Sequence, residues 1–191
     1  YQNYQKNEAW VWEHLALTRA RAVAGQASLL KDFESFRSSL LNSYDRKNVF
    51  KELVNMRSRI AQGKSSNPWD AKIGPGRLQD IDLLSQAGCL VNRSISRSTV
   101  DGLEALFFGK LITKNEFLEI KAAANQFWSW QIGLNLLFKG QIELENLDAL
   151  DNEAQVEIFE KQTLSEVKKS LHHLSNKINK VIGKILSHEK V

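Results

Sequence analysis

Apolar residues recur every three or four positions through most of this chain, the period of helices that bury one face. Trp12, Leu15, Ala16, Ala20 and Val23 fall on one side of a first helix over 7–24, and Gly25 supplies a stop. Two more helices are predicted over 28–41 and 46–61. Their stripes are Leu29, Phe33, Phe36 and Leu40, then Val49, Phe50, Leu53, Val54 and Met56. After the polar run GKSSN, a fourth helix is predicted over 78–92. Ser98 with Asp101 and Thr113 with Glu116 each have capping-box spacing, so each opens a further helix. The stretch 114–138, carrying Phe117, Ile120, Ala124, Phe127, Trp128, Ile132, Leu136 and Leu137, is the longest and is expected to be central. Thr163 and Glu166 open a last helix over 163–188, whose seam is Leu164, Val167, Leu171, Leu174, Ile178, Val181 and Ile185.

The only prolines, Pro68 and Pro75, lie in one loop, as a chain of long helices requires. The fold class that follows is all-α, a helical bundle of about six to eight helices. A single helical domain over 1–191 is expected, with a core over 7–140, an acidic connection with one short helix over 141–162, and the long C-terminal helix.

Composition narrows the chemistry. The net charge of +4 and a pI of about 9.1 are mildly basic, but Lys and Arg are scattered among acids, which argues against a nucleic-acid partner. One cysteine, Cys89, excludes an intrachain disulfide and lies in an apolar helical run, where it is expected as core filler. The amino end is polar, with no apolar signal core and no spanning segment, so a cytoplasmic chain without a membrane partner is expected. His14, His172, His173 and His188 have no metal-ligand spacing with one another or with Cys89 and are read as structural or exposed.

The stretch AKIGPGRLQDIDLL, 71–84, has the look of a nucleotide site: a lysine, glycines around a proline, and two aspartates separated by one residue. On a strand, Asp80 and Asp82 would point the same way and could share magnesium. On a helix, residues two apart face nearly opposite sides and cannot chelate one ion. The periodicity over 78–92 supports the helix, which makes the aspartates first-turn residues favoured by the helix dipole, about 0.3 to 1 kcal/mol each. Lys72 and the backbone around Gly74 and Gly76 could still meet a phosphate at the helix start.

Residues 8–26, EAWVWEHLALTRARAVAGQ, together with MRSRI and NPWDAKIGPGRLQDID, carry a resemblance to the C-terminal helical domain of bacterial glutamine synthetase adenylyltransferases. The first family block is matched at Glu8, Ala9, Trp10, Trp12, Glu13, His14, Ala16, Leu17, Arg19, Ala20 and Arg21. The second is matched at Asp70, Lys72, Gly76, Leu78, Asp80 and Ile81. Arg77 stands where the family has a second glycine, Asp82 where it has glutamate and Leu83 where it has phenylalanine, so at Arg77 a side chain stands where close backbone approach of a ligand would need none.

The resemblance implies a large bifunctional enzyme that adds AMP from ATP to glutamine synthetase, and removes it, with ATP and magnesium as parent cofactors and none in this segment. The implied partners are an upstream nucleotidyltransferase domain, glutamine synthetase and a PII signalling protein. The catalytic Gly-Ser and Asp-x-Asp motifs would lie upstream, leaving this chain without catalytic residues or a metal. Lys72, Gly74, Gly76 and Arg77 would border the nucleotide or interdomain cleft. The alternative is an independent helical module that binds a protein or a nucleic acid.

Several side chains have expected structural roles. Arg19 shares an apolar face, so its charge, or that of Arg21, is expected to be paired with Glu13, Asp80 or Asp82. Of Trp10 and Trp12, one is expected in the core and the other on an adjoining surface. Trp128 and Trp130 are expected to plug the bundle together, with a glutamine or partner site there as the alternative.

Overall fold

The computed structural model describes residues 1–62, 67–94, 98–138, 159 and 163–188. Among them are eight helices and no strand: α1 Gln2–Asn7, α2 Val11–Leu17, α3 Ala27–Leu41, α4 Arg46–Gln62, α5 Leu78–Val91, α6 Thr99–Phe108, α7 Lys114–Phe138 and α8 Leu164–His188. The all-α bundle is as the periodicity predicts. The expected connection and short helix over 141–162 lie outside the described residues, apart from buried Phe159.

The first predicted helix, over 7–24, is shorter than expected, and a separate short helix precedes it. Tyr4 O accepts from the N–H groups of both Glu8 and Ala9, which ends α1, and α2 begins only at Val11. It stops at Leu17, well short of Gly25. The Thr18 hydroxyl turns back onto Leu15 O at 2.6 Å, and buried Arg37 of α3 donates to the carbonyls of Leu17 and Thr18. A guanidinium at a helix C-terminus satisfies carbonyls that would otherwise require another turn. The inward face is therefore His14, Leu15 and Thr18, while Trp12, Ala16 and Val23 are exposed.

The central helix is α5, not α7. Ten of its fourteen residues are buried, and it packs on α2, α4, α6 and α7. Its approach to α6 is close because Gly88 and Gly102 face each other's helices: a Cβ on Gly88 would strike the Gly102 carbonyl, and one on Gly102 would strike Ser85. Cys89 is 1% exposed within this core. The capping boxes hold: Ser98 Oγ accepts from Asp101 N at 3.1 Å, Thr113 and Glu116 exchange bonds, and so do Thr163 and Glu166.

Helix α8 lies along α7 and buries Val167, Leu171, Ile178 and Ile185 of the predicted seam, widened by Ile182 and Leu186. On α7, Ile120, Ala124, Phe127 and Trp130 face in. Trp128, Ile132 and Leu136 face out, so the expected tryptophan plug consists of Trp130 alone. A residue two positions away on a helix points roughly 160° around the axis, so Trp128 and Trp130 cannot share one side.

Candidate functional site

Residues 67–77 form a turn-rich loop that leads into α5 and rests on α8. Its shape follows from its short polar side chains. Asn67 Oδ1 accepts from Trp69 N at 3.0 Å, and Asp70 Oδ1 accepts from the N–H groups of Lys72 at 2.8 Å and Ile73 at 2.9 Å. Gly74 and Gly76 take φ of 143° and 72°, where a side chain is strained. Gly76 also abuts the α8 backbone: an added Cβ would meet Ser175 O and Asn179 N. Lys168 of α8 lies over the Trp69 ring at 5.6 Å.

Arg77 finds room for its side chain because Gly74 has none. The Arg77 chain folds back across the Gly74 Cα, and its Nη1 donates to the carbonyls of Asn67, Asp70 and Ile73. Burial draws the Arg77 guanidinium below its usual range, opposed by the nearby Asp70 carboxylate. The loop also uses the N–H groups that a phosphate would need. Gly76 N donates to Asp80 Oδ2 at 2.7 Å, Arg77 N to Gly74 O, Leu78 N to Ala71 O and Gln79 N to Lys72 O. An anion cradle at this helix start would require those bonds to break. The Lys72 side chain is exposed.

Asp80 and Asp82 go to opposite sides of α5. Asp80 forms a bidentate pair with Arg57 of α4, Nε to Oδ1 at 2.6 Å and Nη2 to Oδ2 at 2.8 Å. The side chains are 6% and 17% exposed. Arg57 Nη2 also donates to Asn179 Oδ1 of α8 at 2.8 Å, so one buried cluster joins α4, the loop, α5 and α8. Asp82 Oδ1 instead accepts from Arg19 Nη2 at 2.9 Å and from the Thr99 hydroxyl at 2.6 Å, tying the chain after α2 to α5 and α6. Glu13 is used locally by the Tyr4 hydroxyl and Trp10 N, and Arg21 is exposed.

Arg57, Thr99 and Asn179 are members of these clusters that sequence reasoning did not single out. Arg57 had a signal: it continues the apolar stripe Val49, Phe50 and Leu53 one turn on, where a charge must be paired. Asn179 and Thr99 had none, because polar residues beside a seam or in a first helical turn are ordinary.

Trp10 and Trp12 are 57% and 42% exposed, so neither enters the core; Arg59 stacks over Trp10 at 5.7 Å. His14 is buried and bonds the Tyr44 hydroxyl through Nδ1, whereas His172 and His173 are exposed. Among the described residues no three His, Cys, Asp or Glu side chains cluster as metal ligands, and no helix is long and apolar enough to cross a membrane.

The family model described as "Glutamate-ammonia ligase adenylyltransferase" matches residues 1–36. The chain is 37% identical over 115 residues to a bifunctional glutamine synthetase adenylyltransferase/adenylyl-removing enzyme of Agrobacterium fabrum, a match covering 56% of this chain and 12% of the relative. It is 35% identical over 111 residues to the same enzyme of Bartonella quintana, covering 56% and 11%. Against that of Rhizobium meliloti it is 41% identical over 93 residues, covering 48% and 9%. The matches span about a tenth of each relative's length. Over roughly half of its residues, then, this all-helical chain is related by sequence to a segment of the bifunctional glutamine synthetase adenylyltransferase/adenylyl-removing enzymes.

Proposed function

We propose that this chain acts as the helical domain that follows a nucleotidyltransferase domain in a glutamine synthetase adenylyltransferase, supporting AMP transfer from ATP to glutamine synthetase. The observation that carries this reading is the sequence match, which falls on the Trp10-to-Arg21 block and on a family of that name. The proposed partners are the upstream nucleotidyltransferase domain, glutamine synthetase as acceptor and a PII protein as regulator, and the compartment is the cytoplasm.

The parent reaction calls for ATP and magnesium, and the Asp80 and Asp82 carboxylates do not suit that ion. Asp80 and Asp82 diverge from α5, and each is already matched by an arginine. Withdrawing either from its guanidinium would leave a partly buried cation unpaired. We assign metal binding to the upstream domain, and to this one the positioning of a cleft wall. In that wall Lys72 projects from a loop fixed by Gly74, Gly76 and Arg77. A lysine there would meet nucleotide phosphate as a point charge, without help from the backbone N–H groups, which the loop consumes.

The test is reconstitution. The 191-residue chain incubated with ATP, magnesium and glutamine synthetase should leave the synthetase unmodified. The same chain joined to a nucleotidyltransferase domain of a relative should yield the AMP adduct, detected as a mass increase on the synthetase. Transfer by the chain alone, or equal transfer by the nucleotidyltransferase domain without it, would overturn the assignment.

A further inference from the structure

A cavity of about 280 Å³ opens between α4 and the 67–77 loop, beside the buried Arg57–Asp80 pair. Its walls are apolar at Val54, Ile60, Ala61 and Pro75, and its polar lining is Arg57, Ser58 and Asn179 next to Asp80. The pattern of used and unused hydrogen-bonding groups is specific. Arg57 spends Nε and Nη2 on Asp80 and Asn179, while Nη1 has no partner among the described residues and is not sealed from solvent. Asn179 has its carbonyl oxygen occupied by Arg57, which leaves its amide N–H groups. The Ser58 hydroxyl donates to Val54 O at 3.1 Å, which leaves its oxygen as an acceptor. Asp80 accepts three hydrogen bonds and cancels the charge of Arg57.

The cavity thus offers two sets of N–H donors and one acceptor, between apolar walls and with no net charge from its paired ions. A free carboxylate or phosphate would be poorly served, because Arg57 already faces an anion at contact distance. A neutral group carrying both a carbonyl oxygen and an N–H matches on every count. We infer that this cavity is a binding site for a neutral secondary amide, the group that a peptide bond presents. The carbonyl would be received by Arg57 Nη1 and Asn179 Nδ2, the N–H by Ser58 Oγ, and a small apolar substituent would lie against Val54, Ile60 and Pro75. The inference stands apart from the proposed function, since it depends on this cavity alone and not on AMP transfer.

The test is an NMR titration of the ¹⁵N-labelled 191-residue chain with N-methylacetamide, acetate and inorganic phosphate, following the Gly74 and Ser58 amides and Arg57 Nε–H. N-methylacetamide should shift these resonances saturably, with acetate and phosphate weaker by about tenfold. Ala61→Phe fills the cavity without touching the ion pair and should abolish the response. Ser58→Ala removes the acceptor while leaving an exposed position and should weaken it; this second variant keeps the test decisive if the first fails to fold. Stronger shifts with acetate or phosphate than with the amide, no shift with any probe, or an unchanged response in both variants would overturn the inference.

Discussion

At the scale of single residues the molecule is organised by arginines placed where apolar side chains would be expected. Arg57 continues the buried stripe of α4 and joins it to α5 and α8, Arg37 is buried in α3 and meets the end of α2, and Arg19 ties the turn after α2 to α5. Such pairs are costly to break singly because the surviving ion stays buried. Asp80→Ala should therefore destabilise the chain by about 3 to 5 kcal/mol, seen as a large fall in melting temperature, whereas replacing Arg57 and Asp80 together by Met and Leu should cost far less. Equal losses in the two variants would show that the pair's other bonds, to Gly76 and Asn179, carry the stability. Lys72→Ala should behave in the opposite way. An exposed lysine contributes little to stability, so the melting temperature should hold while AMP transfer by the complete enzyme falls. Unfolding of Lys72→Ala, or full activity, would remove Lys72 from the cleft. The pairing of Arg19 was legible from its place on a helical face, but the choice of Asp82 over Asp80 was not. That choice depends on which side of α5 meets the turn after α2, a distance along the chain of 63 residues.

At the scale of elements, the sequence was most informative where a polar side chain marks an end. Three hydroxyl-and-carboxylate boxes fix the starts of α6, α7 and α8, and Ser98→Ala should cost about 1 kcal/mol, read from denaturant midpoints. The failure at α2 has the same cause in reverse. Periodicity cannot register a helix ended by a tertiary contact, and Arg37 lies 19 residues beyond the Thr18 carbonyl it binds. That α7 is not the central helix has another origin. Length does not imply centrality, whereas the nearly unbroken apolar and small run Leu83–Leu90 in α5 marks burial on all sides. Helix α2 also carries a titratable group in that interior, His14. Burial holds its pKa below the ordinary 6.5, against weaker raising effects from the Gln5 backbone and Glu13. The unfolded chain therefore takes up this proton first as pH falls, so stability present above 6.5 is lost between 6.5 and the lower folded value. Melting temperature should decline on acidification from about pH 7 to 5, and His14→Gln should flatten that decline; a profile the substitution leaves unchanged would mean that His14 takes up its proton equally readily in the folded and the unfolded chain.

At the scale of the whole molecule, the loop that could face a ligand is held by the far end of the chain. Gly76 presses on the backbone of Ser175 and Asn179, Trp69 lies under Lys168, and Asn179 completes the Arg57 and Asp80 cluster, so α8 forms the floor of the 67–77 loop. Helix α8 itself is anchored to α7 by its apolar seam and by exposed pairs, Lys177 with Glu119 and Lys184 with Glu116. The proposed cleft wall is thus the product of two segments a hundred residues apart, and disturbing their contact should impair the loop without melting the bundle. Asn179→Ala is the mildest way to do so. It removes one hydrogen bond to a charged group and leaves the seam intact, a loss of about 1.5 to 3 kcal/mol. The expected outcome in the complete enzyme is a lower rate of AMP transfer together with faster amide hydrogen exchange at Gly74 and Gly76, with exchange in α5 and α7 unchanged. Faster exchange throughout the bundle would make Asn179 a general stability residue. Unchanged exchange in the loop with reduced transfer would place Asn179 itself, and not the loop it supports, at the reacting groups.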